Sequence, residues 1–337
     1  MAQIVAKAMA KGANVDKLAA EFADELDNLG VRVANLEKKA DNVKVTGELR
    51  YKYMSKKDDA NDGQSFENDL RSRIWVTGQI NDDWSYTGMI ENTQDFYGES
   101  ANKGDEDTSF ARAYVEGKIG GLNVTAGRYN AFLANGNIYD DKVDGAEVSY
   151  GDKVKVTGFA GKATEVDGGN YAGGELAGAF GDLNLAAGYV NYKDLKKDDN
   201  GKGLDNAIWY VGADYTMGDV NLSGMYLKGD MSCNDVDEKV LDDGGWTVGL
   251  AYKGAEATEA GSWGLFANYY DLGGQTYIAH TTDANTFDGV GFKGYGVGAN
   301  YTFAKNIVGT VAYYDTENKL NSKVDDQRVW ADLTFTF

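Results

Sequence analysis

The sequence predicts an all-β protein. The fold class is a sixteen-stranded antiparallel transmembrane β-barrel, preceded by an N-terminal periplasmic α-helix that forms a coiled coil. Three observations carry this prediction. From Val43 to Phe337, apolar or aromatic residues alternate with small or polar ones at a period of two, in about sixteen runs. The connections between runs alternate strictly, tight then long, as in barrels that cross a membrane. Before Val43 the apolar period is instead that of a helix.

The helix comes first. Residues 13–41 carry apolar side chains at Val15, Leu18, Phe22, Leu26, Leu29, Val33, Leu36 and Ala40, spaced 3, 4, 4, 3, 4, 3 and 4 apart. Such spacing draws one seam down a helix. The extra four-residue step near Phe22 reads as a stutter that locally unwinds a supercoil. Charged residues such as Asp16, Lys17, Glu21, Arg32 and Glu37 fill the rest of the surface. No second helix is predicted to cover the seam, so self-association is the economical solution. A lone helix lying on the barrel is the alternative.

The strands follow. The predicted runs are 43–53, 67–80, 84–92, 108–119, 121–129, 143–150, 153–163, 170–180, 183–193, 205–217, 220–229, 244–253, 262–271, 291–303, 307–315 and 326–337. Short connections include Gly151-Asp152, Gly181-Asp182 and Gly218-Asp219. Long ones fall near 54–66, 93–107, 130–142, 164–169, 194–204, 230–243, 272–290 and 316–325. One face of the runs is apolar, with Trp84, Tyr86, Val154, Val156, Trp209, Val211, Leu222, Trp246, Leu250, Trp263 and Leu265. The other is mostly Gly, Ser, Thr, Asn, Lys and Arg. Turned inward in a water-soluble barrel, that polar face would leave a core of unpaired groups. It suits a water-filled lumen.

Composition agrees and excludes other classes. The 337 residues include 44 Gly and 22 Tyr but no Pro, and the formal net charge is −20. That excess of acid argues against a nucleic-acid partner. The single cysteine, Cys233, excludes an intramolecular disulfide and a Cys-based zinc cage. No apolar run approaches the ~20 residues of a transmembrane helix. The first residues, MAQIVAKAMAKG, lack the apolar core and cleavage site of a signal peptide. An outer-membrane protein would then have to be a mature chain or a fragment.

Particular stretches resemble a known family. The ending VWADLTFTF, with terminal Phe337, resembles the last strand of bacterial outer-membrane porins, where it is a recognition signal for insertion. MAQIVAKAMAK resembles the closing helix of an S-layer homology motif. The stretch from Val15 to Tyr53 closely resembles the link between that domain and the barrel in OmpM-type porins of diderm Firmicutes. The resemblance implies three parts: a remnant of the S-layer homology domain over 1–12, a coiled-coil stalk over 13–41, and a porin barrel over 42–337. It implies a homotrimer in outer-membrane lipid, open to small hydrophilic solutes and ions. In full-length form such a protein also tethers the outer membrane to peptidoglycan, through the domain of which only the final helix is present here. A primarily structural tether and a substrate-specific channel are the alternative readings.

In sixteen-stranded porins the third long loop folds inward and sets the narrowest point. Here that loop is 130–142. Its acids Asp140 and Asp141, with Asp144 beside it, are expected to face a basic wall of Arg50, Arg71, Arg73 and Arg112. Arg128 joins the wall if its strand is bulged before the loop. Separated walls of opposite charge create a transverse field that favours dipolar solutes. Lys52, Lys118, Lys153 and Lys155 also fall on the lumen face, as do the aromatic residues Tyr114, Phe159, Tyr210 and Tyr270, which keep a sugar path open.

No enzymatic activity is expected. His280, the one histidine, lies in the loop TYIAHTTDAN without a positioned serine. No cofactor is expected either. The acids of the other long loops, among them Asp58, Asp59, Asp62, Asp105, Asp107, Asp198, Asp235, Asp237, Asp242 and Asp243, read as solvated faces. Their oxygen-only donors suit Ca²⁺ or Mg²⁺ as the metal alternative.

Overall fold

The computed structural model describes residues 42–58, 63–97, 108–166, 169–195, 204–232 and 241–337. The expected domain remnant, the coiled-coil stalk and its seam from Leu18 to Leu36 lie outside the described residues.

Among the described residues there are sixteen strands: β1 (Val43–Asp58), β2 (Gly63–Gln79), β3 (Trp84–Asp95), β4 (Thr108–Ile119), β5 (Leu122–Leu133), β6 (Tyr139–Tyr150), β7 (Val154–Ala163), β8 (Asn170–Phe180), β9 (Leu183–Lys193), β10 (Asp205–Met217), β11 (Val220–Ser232), β12 (Gly244–Lys253), β13 (Trp263–Gly273), β14 (Gly291–Ala304), β15 (Ile307–Asn318) and β16 (Asp325–Thr336). Each pairs antiparallel with its chain neighbours, and β1 pairs with β16, so the sheet closes and leaves no free edge. Backbone bonds between Gly47 and Phe337, at 2.7 and 2.9 Å, complete the seam. The ring of Phe337 occupies the space a side chain at Gly47 would need.

The tight turns set the register. Gly181-Asp182 and Gly218-Asp219 turn with glycine φ of 68° and 60°, the left-handed conformation that two-residue hairpins require. Strands β4, β8, β9, β10 and β12 have the bounds expected from alternation. Strand β7 starts one residue later than expected and β16 is shifted by one; most of the rest run further than expected, chiefly at their long-loop ends: β1 reaches Asp58, β11 reaches Ser232 and β15 reaches Asn318. Above the apolar belt both faces of a strand can be polar, so the backbone ladder continues where the alternation stops.

The faces are arranged as a membrane barrel needs. Val211, Leu222, Leu250 and Leu265 point outward and are exposed. Exposed aromatic residues flank this band: Tyr189, Trp209, Tyr226, Trp246 and Tyr269 toward the long loops, Tyr215, Tyr252, Trp263 and Tyr301 toward the short turns. Neighbours within these girdles touch, as Trp246 and Tyr269 do with ring centroids 5.2 Å apart. One irregularity matters for the interior. The β3–β4 register shifts between Met89 and Ile90, leaving Ala111 as an extra residue in β4. The bulge turns Phe110 outward to an exposed position while Arg112 still points inward.

Candidate functional site: a charged cleft beneath two inward loops

The expected loop 130–142 is mostly strand. The β5–β6 ladder continues without a break through Asn130↔Lys142 and Phe132↔Asp140 to Leu133↔Tyr139, and only residues 134–138 form the tip. Ala134, Asn135 and Gly136 all adopt left-handed φ there. Five residues suffice for a hairpin loop. The surplus chain is therefore an extension of the hairpin.

That extension bends into the barrel. Asn137 at its tip reaches Met225 of β11, its Nδ2 lying 3.6 Å from the inward-facing sulfur. One face of the hairpin, with Ala131, Leu133, Tyr139 and Val143, is buried against Phe159, Tyr171, Val190, Tyr192, Ile208, Tyr210 and Leu227 of the inner wall. The opposite face looks across the lumen. There Asn130, Asp140 and Lys142 share a cleft of about 470 Å³ with Arg71, Arg73, Glu91 and Arg112, while Asp141, opposite Ala131 in the ladder, has the parity of the buried face and borders the same cleft. Phe159, Tyr210 and Tyr270 thus form the bed on which the loops lie, and Tyr114 abuts Tyr129 with centroids 6.3 Å apart.

The cations of the cleft are crowded and partly paired. Arg71 Nη2 donates to Glu48 at 2.7 Å, and Arg73 Nε to Glu91 at 2.5 Å. Arg112 donates to Asn130 Oδ1 at 2.9 Å and lies 5.2 Å above the Trp75 ring. Asn130 Nδ2 in turn donates to Asp140 at 2.7 Å, linking wall to hairpin. Arg50 and Arg71 stand directly opposite in the β1–β2 ladder, an unfavourable like-charge pair. Glu48 beside Arg71 and the Trp330 ring, 5.4 Å below Arg50, offset it. The Nε atoms of Arg50, Arg71 and Arg112 are buried and have no protein acceptor among the described residues.

Arg128 and Asp144 are not brought to this cleft. They pair with each other across β5 and β6, at 2.6 and 2.7 Å. The bulge that would turn Arg128 inward is absent from this ladder, which is continuous from Asn123 to Leu133. Both residues share the outward parity of Val124 and Val148. Lys153 and Lys155 line a second cavity, of about 580 Å³, together with Glu175 of the adjacent β8 and Asp214 of β10.

A second loop, residues 274–290, also enters the lumen. It docks on the hairpin tip through its backbone: Ile278 and Ala279 donate to Ile138 O, Asp140 donates to Ala279 O, and Thr281 donates to Gly136 O. Thr281 Oγ1 donates to Asp140 Oδ2 at 2.6 Å. His280 is enclosed edge-on by Tyr270, Tyr277 and Phe292. The Thr282 N–H donates to its Nδ1 at 3.0 Å, so the ring is the Nε2–H tautomer and donates to Asn137 Oδ1 at 3.2 Å. Burial pushes the imidazole down to about 4, opposed by the Asp140 carboxylate. His280 is thus a fastener between two loops. The signal for this loop was present in the sequence: large apolar residues on the lumen face of β7 to β14, which only an inward loop could cover.

Of the acids considered for a metal, the side chains of Asp242 and Asp243 are among the described residues. Each is met by a lysine, Asp242 by Lys319 at 2.6 Å and Asp243 by Lys228 at 2.7 Å. Burial raises the Asp242 carboxyl, but hydrogen bonds from Lys319 and the Gly244 N–H outweigh it and hold the group below the usual carboxylate range. No group of three or more His, Cys, Asp or Glu that could hold a metal occurs among the described residues.

No family model matches the chain, and no curated protein matches it in sequence. Solved structures do match in shape. The OmpF of Salmonella typhi in complex with daunomycin superposes with a TM-score of 0.60 at 14% identity, covering 88% of this chain and 97% of that one. A loop-deletion mutant of OmpT, an outer membrane protein of Vibrio cholerae, gives 0.58 at 16% identity over 88% and 100%. A variant of the Rh. blastica porin gives 0.54 at 15% over 88% and 100%. At these identities the likeness is one of fold: the chain has the closed antiparallel barrel of outer-membrane porins.

Proposed function

We propose that the protein is an outer-membrane channel for passive diffusion of small hydrophilic solutes and ions. The observation that carries this reading is the inverted barrel: an exposed apolar band between aromatic girdles outside, and a lumen with a charged cleft inside. Arg50, Arg71, Arg73 and Arg112 form the basic side of its constriction, and Asp140 and Asp141 the acidic side. The field between them orients dipolar solutes, while apolar solutes cannot repay the loss of ordered water. Arg128 and Asp144 play no part in the constriction.

The assembly is a homotrimer, a reading supported by the trimer form of the V. cholerae OmpT that this barrel resembles in fold. The seam from Leu18 to Leu36 forms a periplasmic coiled coil, and a full-length chain carrying an S-layer homology domain would bind peptidoglycan. Purified protein in planar lipid bilayers tests the central claim. Stepwise current in groups of three is expected from a trimeric channel, and a barrel that inserts without passing current overturns it.

A further inference from the structure

Resting on the channel reading above, we infer that the loop 274–290 forms a second half of the constriction, with Asp283 as an ion-selectivity determinant facing Arg50 and Lys52. The path of the loop carries this. It leaves the end of β13 and is first tied to the far wall, where Asn206 of β10 donates to Gln275 O and the Met231 N–H of β11 donates to Gln275 Oε1. It then crosses the tip of the β5–β6 hairpin at His280 and Thr281. It ends against the wall next to the basic cluster, where Arg328 of β16 donates to Asp283 O at 3.2 Å and Asn285 donates to Asp326 at 3.3 Å.

The last contact fixes the side chain's neighbours. Ala284 is buried in a small cluster with Met54 and Trp330. The Trp330 ring carries both Arg50 and Lys52 over its face, at 5.4 and 5.5 Å. Asp283, one residue before, is exposed and lies in the field of these two cations. Partial desolvation at the rim leaves its carboxyl raised above the usual carboxylate range on balance, with Arg50, Lys52 and Arg328 pulling it down and Asp332 pushing it up. The acids Asp140 and Asp141 oppose Arg71, Arg73 and Arg112 in one part of the rim. Asp283 opposes Arg50 and Lys52 in the adjoining part, so the rim of the opening is built by two loops.

Thr281 is the positioning residue that joins them. Its hydroxyl and the Asn130 amide grip the two oxygens of Asp140 separately, at 2.6 and 2.7 Å. Without the second loop, one oxygen of Asp140 would lose its fixed direction.

The test uses the full chain in planar bilayers under a KCl gradient. Asp283→Asn is expected to lower the cation-to-anion permeability ratio about twofold or more, because one fixed charge is removed from a narrow, low-dielectric opening. In a Cys233→Ser background, Asp283→Cys labelled with an anionic methanethiosulfonate should restore the ratio, and the cationic reagent should lower it further. Thr281→Val is expected to shift the ratio in the same direction as Asp283→Asn, with Thr281→Ser restoring it through the retained hydroxyl. A conducting wild type whose reversal potential ignores all changes at Asp283, with both reagents silent, overturns this assignment alone. A wild type that passes no current overturns it together with the channel reading.

Discussion

At the scale of single residues, the interior is governed by which charges are already neutralised. Arg71 and Arg73 are held by Glu48 and Glu91, so removing the arginines also frees two carboxylates. Arg71→Ser with Arg73→Ser therefore turns this stretch of wall from near neutral to net negative, a change of two charges. Clefts of this kind hold potentials of several kT, so a rise of roughly threefold in the cation-to-anion permeability ratio is expected from reversal potentials in a salt gradient. An unchanged ratio would place both arginines outside the ion path. His280 makes a second prediction. Its folded value lies near 4, below the 6.5 of a free imidazole, so the folded state favours the neutral ring. Its contribution to the clasp is fully present above about pH 6.5 and is lost as pH falls toward 4. A protonated ring would also set an Nδ1–H against the Thr282 N–H. Wild-type open-channel noise should rise between pH 7 and pH 4 as the two loops separate. His280→Gln, which does not titrate, should remove that increment, and Asp140 is the charged group whose field acts on the ring. Identical pH profiles for the two proteins would contradict the clasp.

At the scale of elements, the strands were legible in the sequence and the inward loops were legible only in part. Alternation located β8, β9 and β10 to the residue, because the tight turns Gly181-Asp182 and Gly218-Asp219 bound them and their lipid side is apolar through the middle, at Leu176, Leu185, Trp209 and Val211. It stopped short on β5 and β6 because Asn130, Asp140 and Lys142 break the apolar pattern while the backbone pairing runs on. Parity could give each side chain a face of the sheet. It could not say that the sheet itself bends, and the bend is what carries Asn130 and Asp140 over the lumen. The tip geometry is correspondingly exacting. Gly136 has a φ of 76°, and a Cβ there would lie 2.6 Å from Phe132 and 2.7 Å from Thr281. Gly136→Ala should cost about 1–3 kcal/mol of local overpacking on top of the backbone strain. No wall ladder is touched, so the thermal midpoint of the barrel should stay unchanged while channel noise rises. A drop in the barrel's midpoint without a change in noise would show the tip to be part of the wall's stability and not a separate element.

At the scale of the whole molecule, the inversion of the two faces decides how the barrel tolerates charge. It was readable from Trp209, Val211, Leu222 and Leu250 against Tyr210, Gly212, Ser223 and Gly249, residues that alternate along three adjacent strands. What composition could not reveal is that part of the lumen is dry. Ile208, Leu227 and Leu272 point inward and are fully buried beneath the two loops, so the polar-inside rule fails over this sector for the same reason it holds elsewhere: apolar surface is covered wherever chain is available to cover it. Val211 lies midway along β10, outward and exposed, between Trp209 and Tyr215. On Val211→Arg the guanidinium would face hydrocarbon near the centre of the bilayer, at a cost of about 2–4 kcal/mol. Ser223 lies on the next strand, inward, on the wall of the larger cavity. On Ser223→Arg the same charge would stand in water, where it can keep its hydration. Urea titrations of folding into lipid vesicles should therefore separate the two variants, with Val211→Arg destabilised by that amount and Ser223→Arg close to wild type. Equal destabilisation would contradict the inverted barrel, and the reverse order would require a water-soluble one.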